Sequence, residues 1–129
     1  GVGSFGIECL SRGVQKVFFV ENYKGVLPIL KKNLLSLKSI SNYKIIEKDI
    51  YHDKFFENFK IKFDIIFLDP PYKEQKLTKL LENILSLKLL ATDGVIIIHR
   101  HKKEKEIYPE KFKILKVKTY GISKIIFGN

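Results

Sequence analysis

Four consecutive residues, Asp69-Pro70-Pro71-Tyr72, have the clearest chemical potential in the chain, and they follow an apolar run at residues 64 to 68. Proline has a fixed φ and no backbone N–H, so this corner offers carbonyl acceptors without donors. Asp69 and the Pro70 carbonyl can accept both hydrogens of an exocyclic base amine, which favours a pyramidal nitrogen whose lone pair attacks an electrophilic methyl group. Tyr72 can stack on a base that has left its own stack. We therefore predict that these four residues are catalytic, although such a corner can also simply end a strand.

A glycine-rich loop opens the chain, where Gly1, Gly3 and Gly6 form the pattern G-x-G-x-x-G. Glycines at these positions permit a tight turn, close approach of the backbone to a ligand, and close packing of the next helix. The next apolar run ends in Glu21, near the spacing of about 20 residues at which an acid binds a ribose hydroxyl. Enzymes that bind NAD and enzymes that bind S-adenosylmethionine share these features, and both features can also be purely structural. The pattern therefore predicts an adenosine-containing cofactor without distinguishing the two.

Three more residues are predicted to bind the adenosine part of such a cofactor. Asp49 follows the apolar run at residues 44 to 48, and its carboxylate can accept a hydrogen bond from an adenine amine. Ile50 can pack on the adenine ring, and Asn22 lies directly after the ribose-binding candidate. The alternative interpretation of Asp49 is a turn-forming residue that follows a strand.

The elements that must position these residues alternate along the chain. Apolar runs predict strands, and leucines at helical spacing predict crossover helices, with a further helix after the glycine loop that ends at Gly13. The predicted strands are residues 17–21, 44–48, 64–69 and 94–99, the predicted helices are residues 4–12, 26–37 and 77–87, and residues 112–118 and 122–127 form a predicted hairpin. This order indicates an α/β fold with a doubly wound, mostly parallel sheet and a C-terminal antiparallel hairpin. No internal repeat or linker interrupts residues 1–129, so we predict a single domain.

Composition restricts the setting and the partners. The formal net charge is +10, from 24 Lys and Arg against 14 Asp and Glu, which favours polyanionic partners, although a lysine-rich surface can also be only a compositional habit. Cys9 is the one cysteine, so no intramolecular disulfide can form, and a reducing, cytoplasmic location is expected. No apolar run approaches the roughly 18 to 20 residues that cross a bilayer, so no membrane association is expected.

Basic and histidine residues near the C-terminus have two possible interpretations. Residues 100–118 contain Arg100 and seven lysines, which can form a phosphate-contacting face or a solvated loop and edge strand. His52, His99 and His101 have no metal-ligand constellation around them, so no metal is expected. For His99 and His101 we predict a role in packing or at the surface.

Several stretches, in the same order along nearly the whole chain, resemble the RsmD family of bacterial small-subunit ribosomal RNA guanine-N2 methyltransferases. They are GVGSFGIECLSRG, VFFVE, DIIFLDPPY, VIIIH and YGISKIIF. The resemblance implies a Rossmann-like methyltransferase fold, S-adenosylmethionine as cofactor, and ribosomal RNA or an assembling small ribosomal subunit as partner. It also implies that Gly1, Gly3, Glu21 and Asp49 contact S-adenosylmethionine and that residues 69–72 hold the guanine amine. Independently of the resemblance, we expect a monomer.

The chain departs from the family in one respect, and three alternative functions are compatible with parts of the sequence. Family members have a central strand directly before the position of Gly1, so we expect this strand to be missing here and the chain to be an N-terminally truncated methyltransferase domain. The proline corner recognises an amine and not a particular base, so an adenine-N6 methyltransferase acting on DNA or RNA is the alternative enzyme. An inactive nucleic-acid-binding fragment of the same fold is the alternative from another class. A dehydrogenase is disfavoured, because it would leave the proline corner without a purpose.

Overall fold

The computed structural model of the protein describes residues 1–52, 54–71 and 76–129. The chain forms two compact units, one at residues 1–55 and the other at residues 56–129. Within the described ranges, the structure contains no helix that is both long enough and apolar enough to cross a membrane.

The first unit contains two helices and a two-stranded parallel sheet. In chain order its elements are α1 (Ser4–Ser11), β1 (Val17–Val20), α2 (Leu27–Leu35) and β2 (Tyr43–Ile46). The strands pair in parallel from Val17 opposite Tyr43 to Val20 opposite Ile46. One apolar residue from α1, one from β1 and two from α2 form the buried core, which consists of Leu10, Phe19, Leu30 and Leu34. The unit is therefore the predicted βαβ arrangement, preceded by the helix that follows the glycine loop.

Local sequence explains where the helices of this unit begin and end. Gly3, at the N-cap of α1, has a φ of 88°, and Gly13, just beyond its C-cap, has a φ of 85°. L-residues rarely adopt this left-handed conformation, so glycine is favoured at both ends of the helix. The N–H of Val14 donates to the carbonyl of Cys9 at 3.2 Å, which completes the turn after the helix. In α2, Pro28 lies in the first turn, where a missing N–H costs nothing.

The second unit contains one longer helix and a four-stranded sheet. After a short 3-10 helix at Phe55–Asn58, its elements are β3 (Phe63–Leu68), α3 (Leu77–Ser86), β4 (Leu90–His101), β5 (Ile114–Tyr120) and β6 (Ser123–Gly128). The strand order is β3-β4-β6-β5. β3 and β4 are parallel, whereas β6 runs antiparallel to both of its neighbours. The predicted terminal hairpin is therefore confirmed, and its second strand extends the sheet at β4.

β4 is longer than the sequence predicts. It begins at Leu90 and not at Gly94, and Leu90 pairs with Phe63 before the register shifts so that Val95 pairs with Ile65. The polar residues between these pairs conceal the strand in the sequence. Asp93 has a φ of 63°, a conformation uncommon in a strand and consistent with the irregular register.

Candidate functional site

Packing explains two of the three glycines in the N-terminal loop. A Cβ on Gly6 would lie 2.4 Å from Cε1 of Phe19, and a Cβ on Gly3 would lie 2.5 Å from Cδ1 of Leu30. Close approach of α1 to β1 therefore requires Gly6, and Gly3 meets both a packing and a conformational requirement. Nothing lies within 4 Å of a Cβ built on Gly1, so no such packing constraint applies there.

Glu21 directly follows β1 and is largely buried, with 16% of its side chain exposed. Its Oε1 accepts hydrogen bonds from the N–H groups of Asn22 at 3.0 Å and Tyr23 at 2.9 Å, and its Oε2 accepts one from the amino nitrogen of Gly1. Burial raises the pKa of Glu21, but the hydrogen bonds from Gly1, Tyr23 and Asn22 outweigh burial, so the pKa is below its usual value. The carboxylate is therefore ionised and held in one orientation at the end of its strand.

The second adenosine-binding candidate lies beyond β2. Asp49 is exposed, and its Oδ1 accepts a hydrogen bond from the N–H of Tyr51 at 2.9 Å. Asp49 therefore forms a turn after the strand, as in the alternative interpretation of this residue. Ile50 beside it is half-buried, and Asn22 is exposed. The first unit thus supplies all the predicted cofactor-binding residues.

Strand register brings Asp69 to a histidine in the second unit. Leu68 at the end of β3 is paired with Ile98 of β4, so the next residues on the two parallel strands, Asp69 and His99, lie side by side. His99 Nδ1 is 2.9 Å from Asp69 Oδ1, and it donates to the carboxylate when that nitrogen carries the proton. Asp69 remains accessible, with 54% of its side chain exposed. His99 therefore has a contact beyond the predicted role in packing or at the surface, because its ring nitrogen orients the Asp69 carboxylate.

Arg100 lies in the interior of the second unit, beside the two prolines of the candidate site. Only 1% of it is exposed, so both interpretations of residues 100–118, a phosphate-contacting face and a solvated loop and edge strand, are wrong for this residue. Its Nη1 donates to the carbonyl of Pro71 at 2.9 Å and, more weakly, to that of Pro70 at 3.4 Å. The prolyl carbonyls therefore have a donor, contrary to the donor-free corner inferred from the sequence. Tyr72 lies outside the described residues.

A buried acid balances the charge of Arg100. The guanidinium Nε donates to Glu106, whose side chain is 9% exposed, and Nη2 lies 3.7 Å from Glu104. The Tyr108 hydroxyl donates to Glu106 at 3.4 Å. Burial and the adjacent Glu106 charge raise the pKa of Tyr108 to about 12. Ile96, Ile98 and Arg100 are buried at alternate positions along β4, which places the arginine on the buried side of the strand.

These two sets of residues define what each unit can do chemically. The first unit presents an ionised carboxylate that backbone N–H groups hold at the end of β1, which fits the vicinal hydroxyls of a ribose. The second unit presents an accessible carboxylate beside carbonyls of fixed orientation, which fits a group with two N–H donors. Among the residues that the structure describes, no group of three or more His, Cys, Asp or Glu side chains is arranged to hold a metal ion.

The element order and the C-terminal hairpin are those of the Rossmann-like methyltransferase fold. An rRNA methylase structure from Streptococcus thermophilus has the same fold, with a TM-score of 0.73 at 15% identity over 99% of this chain and 80% of that one. The family described as Conserved hypothetical protein 95 matches residues 1–129. The chain therefore belongs to this family, which is the RsmD family.

The chain is similar to individual relatives in sequence and in structure. The chain is 37% identical over 131 aligned positions to ribosomal RNA small subunit methyltransferase D of Haemophilus influenzae, which covers 95% of this chain. The chain spans 64% of the length of that relative. A conserved hypothetical protein from Streptococcus pyogenes superposes with a TM-score of 0.86 at 26% identity, over 100% of this chain and 81% of the other.

Proposed function

We propose that the protein transfers a methyl group from S-adenosylmethionine to the exocyclic N2 amine of a guanine in small-subunit ribosomal RNA. One observation carries the proposal: Asp69, at the carboxyl end of β3, is oriented by His99 and adjoins two prolyl carbonyls that Arg100 holds. The name of the Haemophilus influenzae relative supports ribosomal RNA as the substrate.

Residues of the first unit fit the cofactor. Glu21 would bind the ribose hydroxyls through its oriented carboxylate, and Asp49 would accept a hydrogen bond from the adenine amine. Gly1 and Gly3 would let the backbone approach the cofactor closely, Asn22 would lie beside the ribose, and Ile50 would pack on the adenine ring. When bound, S-adenosylmethionine supplies an electrophilic methyl group, so the reaction needs neither a metal nor a covalent nucleophile.

Residues of the second unit would bind the target amine. Asp69 would accept one N–H of the base, and the Pro70 carbonyl would accept the other, because a carbonyl oxygen that binds Arg100 weakly keeps a second lone pair. These acceptors localise the nitrogen lone pair, which is otherwise delocalised into the ring. Asp69 would also accept the proton that the nitrogen loses on methylation. Tyr72 would stack on the extruded base, and positioning of this kind supplies much of the rate.

A second target base remains compatible with the same residues. An adenine N6 amine also presents two N–H donors, so the corner of Asp69 and Pro70 by itself does not distinguish it from guanine N2. An inactive nucleic-acid-binding protein of this fold would keep Arg100 and its partners but would transfer no methyl group. The product base and the turnover therefore separate the three possibilities.

The test is methyl transfer from radiolabelled S-adenosylmethionine to small ribosomal subunits that lack modifications, with wild type, D69A and E21A. We expect D69A to lower kcat about a hundredfold, because it removes an acceptor that acts in the transition state. D69A should leave cofactor affinity, measured by calorimetry, unchanged. E21A should weaken cofactor binding at least about tenfold, because it removes a charged acceptor of two hydroxyls.

Each variant is the control for the other, since D69A alters the second unit and E21A alters the first.

Digestion of the labelled RNA to nucleosides identifies the product by chromatography. N2-methylguanosine would support the proposal, and N6-methyladenosine would establish the alternative. Cofactor binding without methyl transfer, or full activity of D69A, would contradict the assigned mechanism.

A further inference from the structure

A short segment after β4 has its positive side chains on the outside and its negative side chains directed inward. We call residues 102–108 the lysine segment. Its lysines, at positions 102, 103 and 105, are exposed, whereas Glu104 and Glu106 are at least partly buried. Both glutamates approach the guanidinium of Arg100, so their charges are directed inward. The outer side of the segment therefore carries the positive charge of Lys102, Lys103 and Lys105.

Side chains from three elements fix the lysine segment in place. They come from β4, β6 and α3, and each contacts a different residue of the segment. The contacts are those of Arg100 with Glu106, of Lys124 with the Glu104 carbonyl, and of Thr78 with the Ile107 carbonyl at 2.6 Å. A segment held in this way presents its lysines from a defined backbone, which lowers the entropy lost when a ligand binds.

One side chain joins the lysine segment to the proposed amine-binding corner. Arg100 contacts Glu106 within the segment and also donates to the carbonyls of Pro70 and Pro71. The segment that carries the exposed lysines therefore contacts the same buried arginine that binds the prolyl carbonyls. A polyanion bound by these lysines would lie against the element that borders the corner.

We propose that Lys102, Lys103 and Lys105 contact backbone phosphates of the RNA that carries the target nucleotide. The inference rests on the proposed function for its choice of RNA as the polyanion. Lysines contact phosphate without reading the base, so the segment would position the strand and leave selection of the amine to Asp69 and Pro70. This assigns a specific part of residues 100–118 to RNA contact.

The test compares the triple variant K102Q/K103Q/K105Q with a matched control, K60Q/K62Q/K88Q. The control removes the same charge from exposed lysines just before β3 and β4, at the opposite ends of these strands from Asp69 and His99. Binding of transcribed small-subunit ribosomal RNA is measured by filter retention over a series of salt concentrations. Thermal melts establish that both variants are folded.

Loss of three phosphate contacts should reduce the slope of log affinity against log salt by about 2, and weaken binding about a hundredfold at about 0.1 M salt. The control should retain the wild-type slope apart from a small general effect of charge. Equal losses in both variants, an unchanged slope in the test variant, or no RNA binding by wild type would overturn the inference. The assay requires no methyl transfer, so RNA binding that depends on these lysines without turnover would reject only the proposed function.

Discussion

Replacing Arg100 by Met should destabilise the second unit strongly. The substitution keeps an unbranched side chain but removes the cation, and it leaves the Glu106 carboxylate without its guanidinium partner at 9% exposure. Removal of one partner from a buried ion pair costs about 3–5 kcal/mol, because the other charge stays buried and uncompensated. Glu104, at 3.7 Å and 37% exposure, can rehydrate and should add little.

Urea unfolding followed by circular dichroism measures this cost. With a slope of about 2 kcal/mol/M, a loss of 3–5 kcal/mol lowers the midpoint by about 1.5–2.5 M. The double variant R100M/E106L removes both charges, so it should recover most of the loss and reveal a coupling free energy above about 1 kcal/mol. The reasoning is refuted if R100M costs under about 1 kcal/mol, or if the effects of the two single substitutions simply add.

Two further predictions concern the glycine loop and the tyrosine beside Glu106. G6A should lower the free energy of unfolding by about 1–3 kcal/mol, because its Cβ would meet Phe19 Cε1 at 2.4 Å, whereas G1A, with nothing within 4 Å, should unfold in urea like wild type. Tyr108, with a folded pKa of about 12 against an ordinary value of 10.0, should contribute stability that is fully present below pH 10 and is lost as pH rises through 12. Titration of phenolate absorbance in wild type and Y108F tests the second prediction, because the difference between the two curves is the titration of Tyr108. The prediction fails if this difference curve has a midpoint near the ordinary tyrosine pKa.

Strands and helices were predictable because their signals are local. Leucines at helical spacing identified α3, whose Leu77, Leu80, Leu81 and Ile84 are all buried. The glycine predicted to cap α1 has the expected positive φ. The start of β4 was not predictable, because residues 90–93 lack a continuous apolar run and their pairing depends on a register shift with β3.

The contacts of the candidate site depend on register, which a single sequence does not specify. Asp69 and His99 are separated by 30 positions, and they meet only because Leu68 pairs with Ile98. Arg100 lies among many lysines, so composition indicated a surface residue. In the structure, burial alternates from Ile96 through Ile98 to Arg100 because alternate side chains of a strand share a face. The sequence does not show this alternation, since residues 95–98 are all apolar.

The position of Arg100 is better explained by geometry than by stability. A well-packed apolar pair in place of a buried ion pair is often neutral or even stabilising by about 1–4 kcal/mol, so the pair with Glu106 is not needed for folding as such. An apolar side chain, however, has no donor for the carbonyl of Pro71, which Arg100 binds at 2.9 Å. The guanidinium fork can bind a carboxylate and two carbonyls at once, a geometry that the single ammonium of lysine does not reproduce. We therefore infer that Arg100 positions the prolyl corner, while Glu106 compensates the cost of burying its charge.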